Sequence, residues 1–243
     1  MSGHSSRRRF WVVTAAAVVG MAATLALGIW QMSRAGQKLA MEAAIEQRQV
    51  MAPVPSSELL ARRDFTALFY RPVILRGTWL APRTVFLDNR QMQGKVGFFV
   101  VTPLRLEGSD AVVLVERGWV QRNFLEREKL PPIQTPGGTV ELRGRLAPPP
   151  AKLYDFGGAA GGVIRQNLDL ARFRAETGLA LLGLAVQQTG DASEGLLREW
   201  PKPASGVETN YGYAAQWWAL CILIAILYVW FQFIAPRRKG SHA

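Results

Sequence analysis

The sequence contains one cysteine, Cys221, and two histidines, His4 and His242. A single cysteine closes no disulfide within the chain, and it cannot supply the paired thiols of a copper carrier or a thiol oxidoreductase. From residue 31 to residue 213 there is no histidine at all. A Ser-His-Asp triad, a histidine-ligated zinc protease and a histidine-ligated metal site are therefore excluded from that stretch. The glycines between Gly157 and Gly162 are followed by no Lys-Ser or Lys-Thr, so they form a flexible connection and not a phosphate loop. Charge is scarce too. Only 19% of the residues are charged and 49% are apolar, which directs attention to membrane segments.

Two stretches qualify. Phe10 to Trp30 has no charged side chain, and Ala214 to Ala235 has only Gln216 and Gln232 as strongly polar residues. At ~1.5 Å per residue the first is about 31 Å long, which matches a hydrocarbon core of about 30 Å. Arg7, Arg8 and Arg9 precede the first stretch, and Arg237, Arg238 and Lys239 follow the second. Juxtamembrane cations mark the cytoplasmic side, so both termini are expected there. Trp11, Trp30, Tyr211, Tyr213, Trp217, Trp218 and Trp230 fall near the expected interfaces. Of the net charge of +11 these flanks supply +6 and the rest of the chain +5, and no nucleic-acid partner is expected. The first apolar run exceeds a signal-peptide core and is read as an uncleaved anchor. The expected layout is a cytoplasmic N-terminus over 1–9, a transmembrane helix over 10–30 and an extracytoplasmic domain over 31–213. A second transmembrane helix over 214–235 and a cytoplasmic tail over 236–243 complete it.

Good helix formers continue from Ala35 to Val50, so the first helix should extend beyond the bilayer until Pro53 and Pro55 stop it. Strand-like runs follow at Val73 to Leu75, Val85 to Leu87, Phe98 to Leu106, Val112 to Val120, Val140 to Leu146, Val163 to Asn167 and Leu184 to Thr189. Breaks are expected at Gly77, at Gly94 and Gly97, at Gly108 to Asp110, and at Pro148 to Pro150. Helical or irregular interruptions are expected at Glu126 to Leu130 and at Leu168 to Gly178. The fold class is an α+β membrane protein, with two transmembrane helices flanking a β-rich antiparallel domain of barrel or sandwich type.

Within the first span Ala16, Gly20, Thr24 and Gly28 recur every four residues, a small-residue stripe that admits a second helix. The occupant is either the chain's own second span, offering Ala215, Ala219 and Ala225, or a helix of another protein. Asp88, Arg90, Glu116 and Arg117 read as an ion-pair network bracing two strands, with a catalytic carboxylate pair as the rival reading.

Several segments together resemble the surfeit-locus, or Shy-type, family of cytochrome c oxidase assembly proteins. They are Leu27-Gly28-Ile29-Trp30-Gln31-Met32-Ser33-Arg34 with Lys38, Gly77-Thr78-Trp79, Leu87-Asp88-Asn89-Arg90, Gly97-Phe98 and Thr102-Pro103-Leu104. Val115-Glu116-Arg117-Gly118-Trp119-Val120, Gly144-Arg145-Leu146 and Tyr211-Gly212-Tyr213-Ala214-Ala215-Gln216-Trp217-Trp218 complete the set.

The resemblance implies a non-enzymatic membrane chaperone of the respiratory chain. It would assist haem a insertion or maturation of the large oxidase subunit, in the bacterial cytoplasmic (inner) membrane with its main domain periplasmic. The implied partners are the large subunit of cytochrome c oxidase, the lipid bilayer and haem a synthase, with haem a as a transient cofactor. A haem-proximal set of Trp30, Gln31, Arg34, Asn210, Tyr213 and Trp217 follows, in which Arg34 would pair with a propionate and Trp30 would line the ring. The family pattern places a histidine where this chain has Asn210. Asparagine is not a usual haem ligand, so no histidine ligand is expected from the structured region. An accessory subunit of a respiratory complex and a membrane-anchored periplasmic carboxylate hydrolase are the alternative readings.

Overall fold

A computed structural model describes residues 3–123, 125–126, 129–151, 162–201 and 206–235. Arg237, Arg238, Lys239, His242 and all but the last residue of the Gly157 to Gly162 connection lie outside the described residues, as do Arg127 and Glu128 of the interruption expected at Glu126 to Leu130. The chain divides into two compact units, Met1–Ala44 with Pro203–Ala243, and Ile45–Lys202.

The first unit is a helix pair. Helix α1 runs Gly3–Gln49, and the last long helix, α4, runs Val207–Val229 and continues as a π-helical turn over Trp230–Ile234. Each is long and apolar enough to cross a membrane. Helix α1 begins before the arginines, so His4 falls inside it. Helix α4 begins seven residues ahead of the expected Ala214, because Val207 is buried and Glu208 sits in the first turn, where the helix dipole favours an acid. Proline marks the other limit, with Pro53 and Pro55 following closely on the end of α1.

The second unit holds helix α2 (Ser56–Ala61), strands β1 (Pro72–Trp79), β2 (Val85–Met92), β3 (Lys95–Leu106), β4 (Val112–Gln121), β5 (Thr139–Ala147), β6 (Ile164–Arg165) and β7 (Leu181–Gln188), and helix α3 (Leu170–Thr177). Each of the seven strand-like runs holds a strand, although only Ile164–Arg165 of the run Val163 to Asn167 is one. Helix α3 is bounded as its ends dictate, with the Asp169 carboxylate accepting from the Arg172 N–H and Gly178 taking a left-handed φ of 69°. Gly77 and Gly97 do not break strands. Both lie inside them, where a β-carbon would strike the Arg105 and Val120 carbonyls of the adjacent strands. Gly94, with φ 73°, does sit in the β2–β3 turn. The described residues around Glu126, Lys129 and Leu130 are irregular and not helical.

The sheet is mixed, which corrects the antiparallel expectation. Its order is β1-β5-β7-β4-β3-β2-β6, and β1 pairs β3 as well. Strand β7 runs parallel to β4, and β6 runs parallel to β2. A hairpin can join only antiparallel neighbours, whereas the long excursion between β4 and β7 frees that pair to run either way. Pairing is circular: Gly77–Trp79 of β1 meets Leu104–Leu106 of β3, which returns the series β1, β5, β7, β4, β3 to its start.

One face of these strands carries a core of Val73, Leu75, Leu104, Val113, Val115, Leu142, Leu146, Leu184 and Val186. The opposite face, with Val85, Leu87, Val101, Leu114 and Ala185, is covered by Leu168 and by Phe173 of α3. Strand β4 is buried on both faces from Val112 to Trp119, so it lacks the period-two alternation of an exposed strand.

Candidate functional site

Buried and half-buried positions along the two helices recur at alternating spacings of three and four. On α1 they include Thr14, Ala17, Met21, Thr24, Gly28, Gln31, Ala35 and Lys38, and on α4 Val207, Asn210, Ala214, Trp217, Cys221, Ile224 and Tyr228. This is the period of two helices packed along a common seam. Small residues let it close. A β-carbon on Gly28 would collide with the Trp218 indole, while one on Gly20 would reach ordinary contact distance, 3.4 Å, from Ile224. Of the expected stripe, Thr24 and Gly28 are buried and Ala16 is exposed. The second span does not use Ala215 and Ala219, which are exposed. Ala225 is half-buried, and Ala214, 1% exposed, is the most buried alanine of the span.

Polar rungs cross the seam at intervals. The Thr14 and Tyr228 hydroxyls lie 2.9 Å apart, and the Cys221 thiol is 3.5 Å from the Met21 carbonyl oxygen. Thr24 bonds back to the Gly20 carbonyl of its own helix at 2.9 Å. At the other end Asn210 Nδ2 donates to Gln31 Oε1 at 2.6 Å, while its Oδ1 accepts from Lys38 Nζ at 2.7 Å. The Lys38 ammonium reaches the Gly206 carbonyl as well, at 3.5 Å.

Of the six expected site residues the structure brings together Gln31 and Asn210 and adds Lys38, which the resemblance contained but the site set did not. Trp217 is half-buried in the seam, and Trp30 and Tyr213 are exposed, at 55% and 49%. Arg34 is exposed and bonds Gln37 Oε1, one turn along its own helix, at 3.4 Å. Lys38 follows Gln31 by seven residues on the seam, and that spacing is the signal by which the sequence could have revealed it.

These residues do not fit axial ligation of haem at position 210. The one lone-pair donor of the Asn210 side chain faces an ammonium, and its nitrogen is a donor already used. A cation in hydrogen-bond contact also opposes a ferric or ferrous ion at the same oxygen.

The ionic residues of the sheet unit do not form one network, and the expected bracing by Asp88, Arg90, Glu116 and Arg117 is corrected. Arg90 and Glu116 act on each other through charge, but the hydrogen bonds and ion pairs described below run to other residues. The β3–β4 register shifts where Val100 faces Gly118 and Val101 faces Glu116, so Arg117 is the extra residue of a bulge. Its fully buried guanidinium stacks 4.9 Å from the Trp79 ring and donates to Thr135 Oγ1 at 2.7 Å, the Gln134 carbonyl at 2.6 Å and Glu194 Oε2 at 2.9 Å. Arg198 reaches the same Glu194 oxygen at 3.3 Å. Gly118 makes this possible, since a β-carbon there would lie 2.7 Å from the Leu197 carbonyl. Asp88 pairs with Arg122 at 3.2 Å, and Arg90 donates to the carbonyls of Ala151 and Gln166 at 3.0 Å each.

Glu116 lies on the other side of the bulge, 4% exposed, in a row that crosses three strands: Arg145 Nε donates to Gln187 Oε1 at 2.7 Å, and Gln187 Nε2 donates to Glu116 Oε2 at 2.8 Å. Burial lifts its carboxyl above the usual glutamate range, against the Gln187 hydrogen bond and the positive charges of Arg90 and Arg145. The acids of these clusters thus face cations or amides. Among the described residues no group of three or more His, Cys, Asp or Glu side chains is placed to hold a metal ion.

The profile of the SURF1 family matches residues 18–222. The cytochrome oxidase assembly protein SHY1 of Saccharomyces cerevisiae is 33% identical over 94 residues, which are 39% of this chain and 24% of that protein. A SURF1-like protein of Drosophila melanogaster is 31% identical over 175 residues, 65% of this chain and 57% of the relative. Surfeit locus protein 1 of Arabidopsis thaliana is 31% identical over 118 residues, 44% and 33% of the two chains. The matched part of this chain thus spans from about a quarter to somewhat over half the length of these relatives. With parts of both apolar helices and the whole sheet inside the profile match, the chain belongs to the SURF1 family.

Proposed function

We propose that this protein is a membrane-bound assembly factor for cytochrome c oxidase that supports maturation of the large core subunit. The family match, continuous from the first apolar helix to the last, carries this reading, and the yeast relative is named for oxidase assembly. In this proposal both helices span a bacterial inner membrane, with the sheet unit on the periplasmic side and both termini cytoplasmic. The uncharged runs and the arginines at Arg7 to Arg9 support that orientation. The circular strand pairing supports reading the sheet as a small barrel.

The Asn210 amide is taken up by Gln31 and Lys38, so in this reading the chain acts through protein contacts and supplies no haem ligand from position 210. Trp30 and Arg34 lie one turn apart on α1 and are both exposed, which suits them to contact the oxidase subunit or haem a synthase. The test is to purify the oxidase from a strain lacking this gene and measure haem a per large subunit. A content below wild type is expected. Normal oxidase, or stoichiometric copurification of this chain with the mature active enzyme, would overturn the reading, the latter in favour of an accessory subunit.

A further inference from the structure

A pocket of about 180 Å³ lies on the sheet unit, between the turn that leads into β2, strand β6 and the last turn of α3. Arg83, Arg165 and Glu176 supply its charged wall, and Pro82, Val85, Val163 and Phe173 supply carbon. Arg165 is fixed in place. Its guanidinium lies 5.2 Å from the centre of the Phe173 ring, its Nε donates to the Gly162 carbonyl at 2.8 Å, and its Nη2 meets Glu176 Oε2 at 2.8 Å. These contacts leave Nη1 without an acceptor among the described residues, and it is not sealed from solvent.

Glu176 does not neutralise the pocket, because it also accepts from Arg172 Nε at 3.0 Å. Anchoring α3 to β6 accounts for Arg165, Arg172 and Glu176. It leaves Arg83 over. Arg83 ends the 3₁₀ turn Ala81–Arg83, whose geometry is set by its own N–H bonding the Leu80 carbonyl at 2.9 Å. Its side chain is exposed and makes no hydrogen bond or ion pair among the described residues. Three arginines thus stand against one carboxylate, and the surplus cation and the open Nη1 of Arg165 line the same recess.

We infer that Arg83 and Arg165 receive the carboxylate of an aspartate or glutamate side chain on a protein partner. A guanidinium matches a carboxylate through parallel hydrogen bonds, so Arg83 offers a whole fork and Arg165 adds a donor already held in position by Phe173 and Glu176. The apolar wall suits the methylene stem of an acidic side chain and would be idle against a free inorganic ion. A charged contact of this kind sets the partner's approach and register more than its affinity. The inference rests on the reading that the chain acts through protein contacts.

The full-length chain in a non-ionic detergent would be titrated with N-acetyl-glutamate N-methylamide and with the corresponding glutamine compound, with binding read from saturation transfer to the probe protons by NMR. The glutamate probe should bind better by about tenfold. That preference should disappear in Arg83→Gln and persist in Arg105→Gln, which removes an exposed arginine of β3 outside the pocket. Arg165→Gln should abolish it too, but it also frees α3, so Arg83→Gln decides. Inorganic phosphate at the same concentration should leave most of the glutamate probe bound. Equal binding of the two probes, full retention in Arg83→Gln or an equal loss in Arg105→Gln would overturn the site, and displacement by phosphate would make the occupant a free ion and overturn the partner. In cells, Arg83→Glu should lower haem a per large oxidase subunit at an unchanged level of this chain. Normal haem a in that variant, beside a deficient deletion strain, would overturn the partner contact, whereas normal haem a in the deletion strain would overturn the function proposed above instead.

Discussion

The Lys38 ammonium donates a 2.7 Å hydrogen bond to Asn210 Oδ1, and the same asparagine donates to Gln31 on the other side. Position 210 is therefore a structural crosspiece between α1 and α4. Truncating it leaves two polar partners behind. Asn210→Leu is expected to destabilise the helix pair by about 1–2 kcal/mol, in the upper range for interhelical polar contacts in membranes. Lys38→Met should cost less, because Gln31 remains. Thermal unfolding of the full chain in mild detergent would measure both, and an unchanged transition in Asn210→Leu would refute the role. Absorption spectroscopy of wild type and Asn210→His, purified from cells that make haem a, should show no low-spin nitrogen-ligated haem in either.

The close approach at Gly28 makes a sharper prediction about packing. Gly28→Ala places a methyl group against the Trp218 indole and should lower stability by about 1–3 kcal/mol. Gly36 and Gly212 have open space where a β-carbon would go, so alanine there should be neutral or slightly stabilising. If all three variants unfold together, the seam is not held by shape.

Arg117 ties β4 to two separate segments, through Gln134 and Thr135 on one side and Glu194 on the other. Arg117→Met should cost about 3 kcal/mol, since it strips Glu194 of one cation and leaves the Gln134 carbonyl unpaired. Arg117→Lys should recover only part, because an ammonium cannot fork to three acceptors while stacking on Trp79. Urea unfolding of the full chain, followed by tryptophan fluorescence, would report the loss.

Glu116 sets a pH dependence. Its carboxyl is held above the ordinary glutamate value by burial, so the folded state binds this proton more tightly than the unfolded chain does. Its favourable contribution is complete below the ordinary glutamate range and is lost as pH rises through the raised folded value. Glu116→Gln keeps the shape and removes the titration. It should match or exceed wild type in stability at neutral pH, with the difference shrinking as the solution is acidified. A variant less stable than wild type at neutral pH, yet equal to it in acid, would reverse the sign and refute this account.

The sequence by itself determined the elements whose signals are local. An uncharged run longer than a bilayer core specifies a helix whatever surrounds it, and Pro53, Asp169 and Gly178 set boundaries through their own backbone chemistry. Six of the strand-like runs became strands for the same reason, while the more polar run Val163 to Asn167 gave only the two-residue strand Ile164–Arg165. Small residues at Gly20, Thr24 and Gly28 announced a helix contact before any partner was known.

Tertiary structure decided everything that depends on which distant segments meet. Strand direction was one such matter, because hydrogen-bonded neighbours in the ring need not be neighbours in the chain, and β7 came to lie parallel to β4 after a long excursion. The fate of the charged pair Glu116-Arg117 was another. Alternation along a strand implies opposite faces, but the bulge and the approach of Leu197 over Gly118 chose Glu194 for one and Gln187 for the other. Asn210 marks the same boundary. Its residue type argued against haem ligation, yet only the pairing of α1 with α4 showed its amide occupied, since Gln31 and Lys38 become its neighbours through a contact that spans most of the chain.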